Sequence, residues 1–161
     1  MRDIIFLPMR LQPMHIGHLE LISESSKLGQ NTTILIFNTE TQDENNPLSE
    51  QEKIKILKKT IEIENLKNIK IISMPYYKEN KKRFEFIEQN IKLTEKSLIV
   101  SGNKFIQTEF QKLGFKIRTP QEILGKLKNI SGTKIRKLII EKKEYKHFLS
   151  SGTIYYHNKL D

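Results

Sequence analysis

Asp3-Ile-Ile-Phe-Leu-Pro8-Met-Arg10-Leu-Gln12-Pro13-Met-His15-Ile-Gly17-His18 is the stretch that decides the fold. Its first six residues are a short apolar run closed by proline and read as a buried strand. From Gly17 onward Leu19, Leu21, Ile22 and Leu28 fall at helical spacing, so strand gives way to helix across the segment between. The same change of period recurs down the chain. Residues 32–37, 69–74, 97–100 and 115–118 read as four more strands, and 49–64, 83–93 and 104–113 as helices between them. Ser49 with Glu52 three residues on makes a capping box that fixes the start of the second helix after Pro47. Strict alternation means βαβ units with right-handed crossovers. The expected fold is α/β, an open parallel five-stranded Rossmann-like sheet with helices on both faces. After Arg118 the alternation stops, and residues 133–142 and 151–160 read as two helices of a C-terminal tail. No Gly/Ser-rich linker, repeat or low-complexity tract intervenes, so residues 1–161 are expected to form a single domain, 1–125 the α/β core and 126–161 the tail.

In such a sheet ligands bind beyond the carboxyl ends of the strands, where strand order reverses. Residues 9–18, 38–48, 75–82 and 102–103 follow strands and are the ones to weigh. The first group holds two of the four histidines. His15 and His18, three apart at a helix start, can turn both imidazoles to one ligand. Gly17 lets backbone come close to that ligand, and the unpaired N–H groups of the first turn favour an anion. The plainer alternatives are a histidine pair that caps the helix and a metal pair, which would want a third ligand where none is adjacent. A second motif, Ile130-Ser131-Gly132-Thr133-Lys134-Ile135-Arg136, opens the first tail helix. Ser131 or Thr133 would cap it, the hydroxyls and free N–H groups would cradle a phosphate, and Arg136 would add a forked cation. Alone it reads as an ordinary helix cap. Paired with His-x-Gly-His it reads as the second half of a nucleotide site.

Charge points the same way. The formal charge is +9, but residues 1–50 carry three Lys+Arg against seven Asp+Glu (net −4) and residues 51–161 carry 25 against 12 (net +13). That field suits nucleotide phosphates or a polynucleotide, although any single lysine is better read as solvated surface. The longest apolar runs, residues 4–6, 34–37 and 98–100, fall far short of the roughly 20 residues of a membrane helix, so no membrane partner is expected. No basic n-region precedes a long apolar stretch, and with no cysteine to oxidise the compartment expected by elimination is the cytoplasm.

Together the two motifs resemble the H-x-G-H nucleotidyltransferase superfamily, whose other mark is an I-S-S-T-x-I-R segment; here Gly132 replaces the second serine. Within it the chain looks most like the archaeal-type nicotinamide-nucleotide adenylyltransferases, whose G-R-F-Q-P-F-H-x-G-H opening is matched at Arg10, Gln12, Pro13, His15, Gly17 and His18. The cytidylyltransferase and pantetheine-phosphate branches carry an acid where this chain has Gln12. Asn46-Pro47-Leu48 is similar to the N-P-F or D-P-F segment, and Ser101-Gly102-Asn103 to T/S-G-N. Three departures stand out. Met9 replaces a glycine, Asn45 replaces an arginine of some members, and residues 75–86 lack the D-I-x-x-N and tryptophan pattern that embraces the nicotinamide nucleotide. Tyr76, Tyr77, Phe84 or Phe86 would have to supply a stacking ring.

The resemblance implies that a phosphomonoester attacks the α-phosphorus of ATP and releases pyrophosphate. A phosphomonoester with a second pKa of about 6 is already a dianion at neutral pH, so no general base is required. His15 and His18 would donate to the α-phosphate and the bridging oxygen, and Arg136 with residues 131–133 would hold the leaving group. Arg10 would bridge phosphates, Mg²⁺ would travel with ATP, and Gln12, Gly17, Gly102 and Asn103 would complete the nucleotide contacts. The expected acceptor is nicotinamide mononucleotide, giving NAD. The alternatives are another phosphomonoester such as a sugar phosphate or other nucleotide, and a non-catalytic nucleotide or nucleic-acid module. His-Ile-Gly-His is also a class I aminoacyl-tRNA synthetase signature, but 161 residues give no space for an anticodon-binding module. Nucleic acid is not an expected partner, and a homo-oligomer is compatible with the sequence.

Overall fold

The computed structural model describes residues 1–126 and 129–157. Five strands, β1 (Arg2–Met9), β2 (Gly29–Phe37), β3 (Ile69–Met74), β4 (Leu98–Val100) and β5 (Lys116–Arg118), form one parallel sheet in the order β3-β2-β1-β4-β5. The chain winds outward from β1 to β3 and then crosses back to lay β4 on the other side of β1. The reversal of strand order therefore falls between the carboxyl ends of β1 and β4.

Alternation along the strands builds two apolar layers. Ile5, Leu7, Ile34, Ile36, Leu98 and Val100 face one side. Helices α1 (Ile16–Ser26) and α2 (Glu50–Ile63) cover them with Leu21, Ile22, Ile56 and Leu57. Phe6, Leu35 and Ile99 face the other side, under α3 (Asn80–Asn90) and α4 (Lys104–Lys112), which contribute Ile87, Ile106 and Phe110. Ser49 and Glu52 form the expected capping box at the start of α2, with reciprocal bonds of 3.3 and 2.7 Å. Several boundaries differ from the sequence reading. β2 begins at Gly29 rather than 32, because polar Gln30 and Asn31 lie in the exposed end of the ladder. α3 begins at Asn80 rather than 83, and its start has no side-chain cap to announce it.

Beyond β5 come α5 (Pro120–Leu124), α6 (Gly132–Ile140), a 3-10 turn (Lys146–Phe148) and α7 (Ser151–Tyr156). The sequence reading has neither α5 nor the 3-10 turn. α5 is a five-residue helix whose signal is a capping box of Thr119 and Glu122 around Pro120. α7 ends at Tyr156 with His157 as its C-cap, and the expected continuation over 158–160 lies outside the described residues. α7 is pressed onto α2, where a Cβ on Gly152 would stand 2.2 Å from the Ile56 carbonyl oxygen. The Gly152 amide donates to Thr60 Oγ1 at 3.1 Å. The tail also grips the segment after β1, since Ser150 N and Thr153 Oγ1 both donate to the Met14 carbonyl, at 3.3 and 2.8 Å. Among the described residues no helix is long and apolar enough to cross a membrane.

Candidate active site

The segment between β1 and α1 is held in one shape from several sides. Leu11 sits at φ +57°, a left-handed conformation that costs a non-glycine residue about 1–2 kcal/mol. Its neighbour Gln12 is 3% exposed and closes two bonds with one backbone unit, donating from Nε2 to the Leu48 carbonyl and accepting the Leu48 amide, each at 3.0 Å. The side chain expected to meet the nucleotide thus ties this segment to the one before α2, and its part is to position what flanks it. Arg10 lies on the same tether, donating to Asn46 Oδ1 and, at 3.3 Å, to the Asn45 carbonyl. Asn45 contributes through its backbone carbonyl to aiming Arg10.

His15 is the N-cap of α1, with its Nδ1 accepting the amides of Gly17 at 3.1 Å and His18 at 3.4 Å. His18 Nδ1 in turn accepts the His15 amide at 3.3 Å, and the two rings stack with centroids 3.7 Å apart. A Cβ on Gly17 would lie 3.0 Å from the His15 ring and 3.3 Å from Ile130, so this glycine seats the histidine. Because both Nδ1 atoms accept backbone N–H bonds, both rings are assigned the tautomer with its proton on Nε2. Burial pushes His15 down to about 4, and burial with the neighbouring His15 holds His18 well below the ordinary histidine range. Both are neutral donors at pH 7.

This has a measurable cost in acid. The folded His15 stays neutral while the unfolded one takes up a proton, so its contribution is intact above pH 6.5 and is lost as pH falls toward 4, by about 3 kcal/mol in all. Denaturant titrations between pH 7.5 and 4.5 should show His15→Asn, which keeps a capping oxygen, with a flatter pH dependence than wild type by close to one proton. Parallel profiles would mean that His15 titrates normally.

The second motif docks directly on the first. Arg136 Nη1 donates to the Gln12 carbonyl at 2.6 Å, and Nη2 to Thr133 Oγ1 at 3.1 Å. Ser131 is the N-cap of α6, accepting the Lys134 amide at 3.1 Å. A Cβ on Gly132 would stand 2.9 Å from the same Gln12 carbonyl and 3.1 Å from Arg136 Nη1, which accounts for glycine in place of the second serine. Burial and the nearby Arg10 lower the Arg136 pKa, against the opposing pull of Asp43, so α6, the Arg10 segment and the 43–46 turn meet around one spot.

Two adjoining cavities open at the strand reversal, of about 240 and 270 Å³, sharing Arg10, Phe37 and Asn103. The second is lined by Met9, His18, Ser101 and Gly102, and Met9 is 7% exposed on its floor. His15, also 7% exposed, lies behind His18 rather than on the cavity wall. Asn103 caps α4 through its Oδ1, accepting the Ile106 amide at 3.1 Å, and donates its own amide to Ser101 Oγ at 3.1 Å. A Cβ on Gly102 would meet only Pro120, at 3.7 Å, so this glycine answers to no close contact within the chain. The first cavity takes Tyr76, Tyr77, Phe84, Phe105 and Arg83. Of the four rings weighed from sequence, Phe86 is absent from this wall and packs on Tyr77 instead, 6.1 Å between centroids.

Lys53 and Phe105 are not among the sequence candidates. Lys53 is 2% exposed and donates to the Phe37 carbonyl at 2.7 Å at the end of β2. Burial first, then Arg10, push its pKa down to about 8 against the pull of Glu50. Its signal is position, for Lys53, Ile56, Leu57 and Thr60 share the inward stripe of α2.

A parallel sheet whose strand reversal opens on His18 and Arg10, with Arg136 and the start of α6 docked on the same segment, defines a nucleotide-binding α/β protein. The chain belongs to the cytidylyltransferase-like family, whose sequence profile matches residues 10–151. It is 29% identical over 158 residues, 94% of this chain and 86% of the other, to the nicotinamide-nucleotide adenylyltransferase of Methanococcus aeolicus. Among solved structures it superimposes on a bifunctional NMN adenylyltransferase/ADP ribose pyrophosphatase from Francisella tularensis, complexed with AMP and manganese. That match has a TM-score of 0.80 at 19% identity and covers 99% of this chain but only 49% of the other, so the chain spans about half the bifunctional protein. A candidate nicotinate-nucleotide adenylyltransferase from Vibrio parahaemolyticus gives a TM-score of 0.68 at 16% identity over 96% and 97% of the two chains.

Proposed function

We propose that the protein is a cytoplasmic adenylyltransferase that joins the AMP moiety of ATP to nicotinamide mononucleotide, giving NAD and pyrophosphate, with residues 1–161 acting as one unit. The observation that carries this reading is the 2.6 Å bond from Arg136 to the Gln12 carbonyl, which brings the second motif's cation and helix start to the histidine-bearing segment. The acceptor is supported by the likeness to the Methanococcus protein.

The acceptor's phosphate oxygen forms a bond to the α-phosphorus while the bond to the bridging oxygen breaks, and the electron pair leaves with pyrophosphate. His18 donates from Nε2 as charge grows on the departing oxygen, and His15 orients that ring and keeps its proton on Nε2. Arg136, Ser131 and Thr133 hold the leaving phosphates while Arg10 bridges donor and acceptor. Asn103 and Gly102 bound the nucleotide. Catalysis is alignment and charge neutralisation. Mg²⁺ supplies further neutralisation when bound. Among the described residues no three His, Cys, Asp or Glu are grouped to hold a metal. The manganese with AMP in the Francisella structure supports a divalent ion.

The test is pyrophosphate release from ATP or CTP with Mg²⁺ against a panel of phosphomonoesters. Release with ATP and nicotinamide mononucleotide, and formation of NAD, is the expected result. Turnover only with a sugar phosphate or another nucleotide would keep the transferase and replace the acceptor, whereas ATP binding with no pyrophosphate from any acceptor would leave a nucleotide-binding module.

A further inference from the structure

The cavity walled by Tyr76, Tyr77, Phe84 and Phe105 also carries a cation. Arg83, half-buried near the start of α3, lines this cavity and not the neighbouring one that holds His18. Its Nε donates to the Tyr77 carbonyl at 2.8 Å, and Nη1 reaches Asn80 Oδ1 only at 3.4 Å. The guanidinium is therefore anchored by one edge, and no carboxylate among the described residues pairs with it within 4 Å. Neither cavity is lined by an aspartate or glutamate. Tyr76, Tyr77 and Phe84 line the same cavity as Arg83, and the Tyr77 carbonyl is the group that holds its Nε.

We infer that Arg83 recognises an anionic substituent on the acceptor's ring, so that the acid form, nicotinate mononucleotide, is a better acceptor than the amide. The inference rests on the adenylyl-transfer reading above, keeps the amide as an acceptor and ranks the acid ahead of it. Both forms bring the same phosphate to Arg10 and His18, so those groups do not tell them apart. They differ at the far end. A pyridinium with a carboxamide arrives with a net positive charge beside Arg83, with no carboxylate in the cavity wall to balance it. A pyridinium with a carboxylate arrives neutral overall and offers two oxygens to the open edge of a guanidinium, the geometry of a forked charge-assisted pair. Anchoring at Nε removes much of the rotamer freedom that such a contact would otherwise cost.

The experiment compares kcat/KM for the two mononucleotides at fixed ATP and Mg²⁺ in wild type, Arg83→Gln and Arg83→Lys. Wild type should favour the acid by at least about tenfold. Arg83→Gln should lower the acid-to-amide ratio roughly tenfold or more, and Arg83→Lys, keeping charge without the fork, should fall between. A purely structural role for the Nε–Tyr77 bond would lower both acceptors together and leave the ratio unmoved. Both acceptors reacting with the amide ahead, or with a ratio indifferent to Arg83, would overturn this inference alone. Pyrophosphate from neither would overturn it together with the reading on which it rests.

Discussion

His18→Ala is expected to lower kcat roughly a hundredfold to a thousandfold while changing the KM for ATP only modestly. Negative charge reaches the bridging oxygen only as the bond breaks, so a donor aimed there acts mainly on the transition state, and loss of one such preorganised donor costs about 2.7–4 kcal/mol. Two jobs of this histidine have to be separated, because its Nδ1 also accepts the His15 amide. An asparagine places an acceptor where Nδ1 stands, and a glutamine places an N–H where Nε2 stands. His18→Asn should therefore keep the melting temperature and lose turnover almost as fully as alanine. His18→Gln should melt lower and keep part of its turnover. If turnover instead followed melting temperature across the three variants, the histidine would be a helix cap and the chemistry would belong elsewhere in the cleft.

Arg136→Ala is expected to raise the KM for ATP at least tenfold and to lower kcat/KM to about a thousandth. One part is the lost grip on phosphates that are charged before and after transfer, a contact worth about 1.5–3 kcal/mol that acts on ground and transition states alike. The other is geometric, because the same guanidinium holds the Gln12 carbonyl and so the segment that leads into His15. Lysine restores charge but not the fork, so Arg136→Lys should recover binding more than turnover. Steady-state kinetics on both variants would decide it; a KM for ATP within twofold of wild type in Arg136→Ala would show that the residue serves the fold and not the phosphates.

The strand-helix alternation was legible because residues such as Ile5, Phe6 and Leu7 are buried on both faces of the sheet and so form continuous apolar runs. Sequence places Arg10, His18, Gly102 and Asn103 after strands, and the structure gathers these four at one cavity. It could not give the division of labour. Gln12 carries an amide suited to a nucleotide but is engaged by the Leu48 backbone, 36 residues away, and nothing local to either position announces that bond. Gly17 reads as room for a ligand and proves to be room for the His15 ring. Lys53 hides among surface lysines until its place on the inward stripe of α2 is noticed.

The tail's grip on the segment after β1 spans separations of 124 residues from Arg136 to Gln12 and 139 from Thr153 to Met14. A ribosome delivers these partners at opposite ends of the job. The sheet can assemble as soon as β5 has emerged, since each strand pairs with one already made. The segment that bears His15 and His18 then waits, shaped at first by the turn at Asn45, Asn46 and Leu48, until α6 and α7 arrive to close on it. A nascent chain that already looks folded by its sheet is thus still without a finished crevice, which is completed late, by residues that lie outside the sheet altogether.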